Sequence, residues 1–119
     1  MTTSSTTYAG GCHCGAVRYR VTFELGKVID CNCSMCSKRG GLLAFAPASA
    51  FELERGDGEL TSYRFNTHKI EHLFCKTCGI ASFSRGTGAD GPTVAINARC
   101  LDGVEVDALE RMPYDGKRA

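Results

Sequence analysis

Eight cysteines stand in a chain of 119 residues, and most of them fall in tight groups. They run as Cys12-x-Cys14, Cys31-x-Cys33-x-x-Cys36, Cys75-x-x-Cys78 and a separate Cys100. An even count in a small chain first raises a disulfide framework, which belongs to oxidising compartments. The opening MTTSSTTYAGG has no basic stretch followed by an apolar one, so it does not read as a secretory signal. Close pairs suit a metal instead, because one short turn can aim two thiolates at the same ion. The expectation is therefore metal binding in a reducing, cytoplasmic setting. Zinc is the expected ion, since all-thiolate sites favour zinc or iron–sulfur clusters and ferredoxin-type cysteine runs are absent. A single iron held by four thiolates is the alternative.

Two kinds of site emerge from the spacing. Cys12-His13-Cys14-Gly15 and Cys75-Lys76-Thr77-Cys78-Gly79 each end in Cys-Gly. A glycine after the second ligand permits positive φ and turns backbone amides toward the sulfurs. Facing each other, the two knuckles make a closed tetrahedral site, Cys12, Cys14, Cys75 and Cys78, with no position left for substrate. Cys31, Cys33 and Cys36 supply only three sulfurs, which leaves a fourth position open as in catalytic zinc sites. Lys38 and Arg39 follow, offsetting the negative charge of a trithiolate and offering to hold an anion, with Gly40 and Gly41 allowing close backbone approach. An exogenous thiol is a natural fourth ligand. Three blander readings stand beside these. The middle cluster is a second structural site closed by Cys100 or a histidine; Cys100 is a small buried hydrophobe; Lys38 and Arg39 are solvated surface charges.

His68-Lys69-Ile70-Glu71-His72 matches H-x-x-E-H, an inverted zinc-protease pattern that needs both histidines one turn apart on a helix. Its neighbours Tyr63-Arg64-Phe65 and Leu73-Phe74 read as strand, where His68, Ile70, His72 and Phe74 share one face. The protease reading is declined. A histidine lining the open metal site and a structural histidine are the readings kept.

The elements that must position these residues read as short strands. Hydrophobic residues make up 43% and charged residues 23%, the balance of one folded domain over residues 1–119. No apolar run is long enough to span a bilayer. Fourteen Lys and Arg against thirteen Asp and Glu leave a net charge of +1, which gives no basic face for nucleic acid. Residues 1–9 are polar and expected to fray, with residues 1–7 as a disordered tail. Ala16–Phe23 alternates as a strand; Val28–Asp30, Leu42–Ala46, Phe51–Glu54, Leu60–Phe65, Ile80–Ser84 and Thr93–Asn97 complete the set, with a loop over Gly86–Pro92. No segment carries sustained helical periodicity, so the fold is expected to be mostly β, with short strands and zinc knuckles.

In order along the chain stand Gly10-Gly11-Cys12-His13-Cys14-Gly15-Ala16-Val17-Arg18-Tyr19, Cys31-x-Cys33-x-x-Cys36-Ser37-Lys38, Phe74-Cys75-x-x-Cys78-Gly79 and Asn97-x-Arg99-Cys100-Leu101-Asp102. This set, over about residues 8–112, resembles the glutathione-dependent formaldehyde-activating enzyme family, which includes centromere protein V. The stretch from Phe65-Asn66-Thr67-His68-Lys69 to Cys75 is similar to the centromere protein V branch in particular. The resemblance implies a small zinc-binding β-tent fold with two zinc ions per chain. Carried over, it puts a structural zinc on Cys12, Cys14, Cys75 and Cys78, and a catalytic zinc on Cys31, Cys33 and Cys36. It implies carbon–sulfur lyase chemistry between glutathione and formaldehyde. On that reading Lys38, Arg39 or Arg99 holds the carboxylates of the thiol carrier, and Asn97 donates to a developing alkoxide. Three functions remain open: a lyase acting on a thiol–aldehyde adduct, a non-catalytic thiol carrier, and a zinc-stabilised interaction module. The chain is expected to act as a monomer or a homodimer, without nucleic acid or membrane.

Overall fold

The computed structural model describes residues 5–64, 70–88 and 91–115. The fold is mostly β, in two sheets. The smaller sheet contains β1 (Thr6–Gly11), β2 (Arg18–Phe23) and β5 (Phe51–Arg55), in the order β1-β2-β5. The larger contains β3 (Val28–Cys31), β4 (Leu43–Pro47), β6 (Leu60–Tyr63), β7 (Glu71–Cys75), β8 (Phe83–Gly88), β9 (Gly91–Asn97) and β10 (Arg111–Tyr114). Its order is β10-β3-β4-β9-β8-β7-β6, antiparallel except for the parallel pair β10–β3.

Alternation along the strands sorts side chains onto two faces. Tyr19, Val21 and Phe23 of β2 are buried while Arg20 and Thr22 point to solvent. They pack against Leu73, Phe83, Val94, Ile96, Ala44 and Ala46 of the larger sheet. Tyr19, Phe51 and Phe83 lock the two sheets together, with ring centroids 4.7–5.6 Å apart. Such pairs add about 0.5–1.5 kcal/mol each beyond the area they bury. The Tyr19 hydroxyl donates to the Ser82 carbonyl at 3.3 Å, so the buried phenol is satisfied. The other face of the larger sheet is left free of the core, and the candidate site lies there.

Several sequence expectations are corrected. The start of the chain is ordered earlier than its polarity implies: Thr6–Gly11 pairs antiparallel with Arg18–Phe23, and residues 1–4 lie outside the described residues. A helix exists, α1 (Ser34–Arg39), too short to leave a periodic pattern. It is fixed by its ends. The Cys33 thiol accepts from the Cys36 amide, and Gly40 at φ 76 closes it with a bond from its own amide to the Cys36 carbonyl. Gly40 therefore serves the helix rather than a ligand. The Ile80–Ser84 strand is displaced to Phe83–Gly88. The Ile80, Ala81 and Ser82 carbonyls accept instead from Cys75, the Asn97 side chain and the Asn97 amide. Of the expected loop over Gly86–Pro92, residues 86–88 and 91–92 are strand and pair antiparallel up to Gly88 with Gly91, and residues 89–90 lie outside the described residues. β6 ends at Tyr63, and the expected Phe65 end lies outside the described residues, as does His68. β10, with Pro113 in it, is an exposed edge strand that composition did not mark.

Candidate metal centres

The two knuckles meet. The Sγ atoms of Cys12, Cys14, Cys75 and Cys78 all lie within 4.8 Å of one another. Cys12 to Cys14 is 3.6 Å and Cys14 to Cys75 is 3.7 Å. A disulfide would need about 2.05 Å. A tetrahedral zinc with bonds of about 2.3 Å has sulfur–sulfur edges of about 3.8 Å, so the donor set and its spacing fit a metal. Gly15 at φ 83 and Gly79 at φ 79 take the left-handed turns that the Cys-Gly spacing predicts. Backbone amides then point at sulfur: Val17 to Cys12 at 3.3 Å and Thr77 to Cys75 at 3.4 Å. Amides of Cys14 and Ile80 hold the Cys78 thiol down to about 6, favouring the thiolate that a metal requires.

The second group is Cys31, Cys33 and Cys36, whose sulfurs also lie within 4.8 Å of one another. Cys31 ends β3, Cys33 caps α1 and Cys36 sits in its first turn. The Cys33 amide donates to the Cys31 sulfur at 3.4 Å, and the Cys36 amide to the Cys33 sulfur at 3.3 Å. Among the described residues no fourth His, Cys, Asp or Glu joins this group. Cys100 does not close it. That thiol lies toward Cys12 and Cys78, half-buried, and burial pushes it up to about 11. Both groups can hold a metal ion.

The three sulfurs open onto a cavity of about 340 Å³ on the outer face of the larger sheet. Register explains its floor. Phe45 pairs with Ala95, Ala95 with Ser84, and Ser84 with His72, so β4, β9, β8 and β7 present one row of side chains. All four line the cavity, as do Ile29 and Leu43, Cys31 and Tyr114, each pair in register on neighbouring strands. Helix α1 contributes Met35, Cys36 and Arg39. The wall is predominantly apolar.

The expected binding residues divide. Arg39 lines the cavity; burial lowers its pKa, while the sulfurs of Cys36 and Cys33 favour its charge. Gly41 also lines it, buried, as a close approach requires. Lys38 faces a neighbouring pocket with Ser34, Met35 and Tyr63. Asn97 is committed to the fold: its Nδ2 donates to the Ala81 carbonyl at 3.1 Å and its Oδ1 accepts from the Arg99 amide at 3.2 Å. Neither Asn97 nor the exposed Arg99 lines the cavity. His72 does, from a strand and not a helix, which disposes of the protease geometry. Burial and then the charge of Arg39 lower its pKa, keeping the imidazole neutral. Nothing in the sequence marks Phe45, Ser84 or Tyr114 as cavity residues. Their only signal was strand register, which one sequence does not supply.

A family model described as glutathione-dependent formaldehyde-activating enzyme matches residues 7–112. The chain belongs to that family. A crystal structure of a Rhodobacter sphaeroides protein is similar to this member of the formaldehyde-activating family, with 33% sequence identity and a TM-score of 0.75. The similarity covers 87% of this chain and 99% of the other. Among the described residues no helix is long and apolar enough to cross a membrane.

Proposed function

We propose that this chain is a zinc-dependent carbon–sulfur lyase acting on a small thiol–aldehyde adduct of the S-hydroxymethylglutathione type. The observation that carries the reading is the position of three cysteines, without a fourth protein ligand among the described residues, at the wall of a cavity. A closed structural site would have no reason to face such a space. Cys12, Cys14, Cys75 and Cys78 would hold one zinc as a structural clamp, and Cys31, Cys33 and Cys36 a second. Zinc at the second position supplies Lewis acidity that favours the thiolate form of the leaving sulfur.

The chain's own residues supply the rest. The neutral His72 imidazole takes the hydroxyl proton of the adduct as the carbonyl forms. Arg39, from the last turn of α1, binds the anionic oxygen that builds on the substrate. Ile29 and Leu43, half-buried in the wall, limit the water around the reacting atoms. The eight free cysteines support a reducing, cytoplasmic setting. The activity for which the family is described supports glutathione as the thiol and formaldehyde as the simplest aldehyde.

The test is metal content and turnover of the wild type and of a Cys31→Ala/Cys33→Ala/Cys36→Ala variant. The expected result is two zinc ions falling to one, with adduct cleavage lost and folding retained. Two zinc ions with thiol binding but no turnover would make the protein a thiol carrier. A second ion indifferent to added thiol would make the site structural.

A further inference from the structure

We infer that the aldehyde half of the adduct carries an apolar ring or chain, seated in a groove that leads off the cavity along β8 and β9; this rests on the lyase reading above. The groove has a volume of about 160 Å³ and shares Phe45, Ile70, Ser84 and Ala95 with the cavity. It continues past Gly86 and Thr93, which are register partners one row beyond Ser84 and Ala95.

The space exceeds what a hydroxymethyl group, the smallest aldehyde half, would fill. Two non-hydrogen atoms need on the order of 60 Å³, twice the share of one water. The groove adds about 160 Å³ beyond the cavity that seats the thiol half. The cavity wall away from the sulfurs is mostly Ile29, Leu43, Phe45, Ile70 and Ala95, apolar side chains that offer a buried polar group no partner, with the Ser84 hydroxyl as the polar exception. A benzene ring fits a dry cavity of about 150 Å³, close to the size of the groove. Phe45 and Ile70 flank the junction and are 53% and 50% exposed, apolar surface that an apolar ligand would cover. The glycine at position 86 keeps the groove wide beside Ile70. A Cβ there would stand 3.5 Å from Ile70 Cγ1 and fill the gap.

The chemistry balances with this substrate. The carbon–sulfur bond breaks with its electron pair leaving on sulfur. The hydroxyl O–H pair becomes the second bond of the carbonyl, and the released proton ends on the sulfur. Thiol and aldehyde leave, and no oxidant or reductant is consumed.

The test is calorimetric binding of two thioethers that cannot react, S-benzylglutathione and S-methylglutathione, to the metal-loaded protein. The benzyl compound is expected to bind at least about tenfold more tightly, the effect of burying one ring. Gly86→Val is expected to bring that ratio close to one. Phe45→Ala, at an exposed position where folding is not at stake, should lower it as well. Equal affinities in the wild type, or a benzyl preference that survives both variants, would overturn the inference. Turnover is read separately. Cleavage of the hydroxymethyl adduct with equal thioether affinities removes the apolar arm and leaves the lyase. A benzyl preference without cleavage of any adduct keeps the arm and removes the lyase.

Discussion

The sulfurs of Cys14 and Cys75 lie 3.7 Å apart although 61 residues separate them in the chain. They join the turn between β1 and β2 to the end of β7, and so tie the smaller sheet to the larger. A cross-link closing a loop of that length removes about 4 kcal/mol of unfolded-state entropy in the chain-entropy view. Cys14→Ala should therefore lower stability by about that amount, and one metal ion should be lost. Denaturant unfolding with metal analysis checks it. An unchanged midpoint would show that the Tyr19–Phe51–Phe83 contacts hold the sheets together without the metal.

Gly11→Ala tests the same clamp through backbone packing. A Cβ at Gly11 would lie 2.1 Å from the Val17 carbonyl oxygen, which already accepts from the Cys12 amide at 3.1 Å. The atom it meets belongs to the backbone, so no flexible side chain can yield. Overpacking of this kind costs about 1–3 kcal/mol, and the shift falls on the first metal ligand. The expected outcome is a lower melting temperature together with weaker metal retention in a competition with chelator. Loss of stability with normal metal affinity would mean the knuckle moves as a rigid unit.

The cysteine partition was legible in the sequence because it rests on short spacing and on the glycines after Cys14 and Cys78, which are local. Strands with clean alternation, such as Arg18–Phe23, were legible for the same reason. The helix carrying Cys36 and Arg39 was not, since six residues show no period and one of its caps is a thiol. The cavity floor was not legible either. Phe45, Ala95, Ser84 and His72 come from four strands, and only the pairing register places them in one row. By residue type Asn97 suits a developing oxyanion. Whether a side-chain amide is already committed to the fold is a tertiary fact.

Arg39 and Arg99 separate two versions of the site. Arg39 lines the cavity beside Cys33 and Cys36, while Arg99 is exposed on a short turn outside it. Arg39→Ala removes a charged hydrogen bond of about 1.5–3 kcal/mol. The expected loss in kcat/KM is about ten- to a hundredfold. Arg99→Ala is expected to change it less than twofold. Equal losses in both variants would move the anion-binding position out of the cavity.

His72 predicts an acid limb in the pH profile. In the folded chain burial, then the charge of Arg39, holds its pKa below 6.5, the value of an unperturbed histidine. As pH falls the unfolded chain binds the proton first. The stability contribution is therefore present in full above pH 6.5 and is lost as pH drops through the window below it, toward the folded pKa. The same protonation removes the group that takes the hydroxyl proton, so kcat/KM should fall in that window. Arg39→Ala deletes one of the two causes of the shift, and its residual activity should show the limb moved upward in pH. His72→Gln keeps a polar side chain of similar size and should abolish the limb while lowering the plateau. A limb unmoved in both variants would belong to a group other than His72.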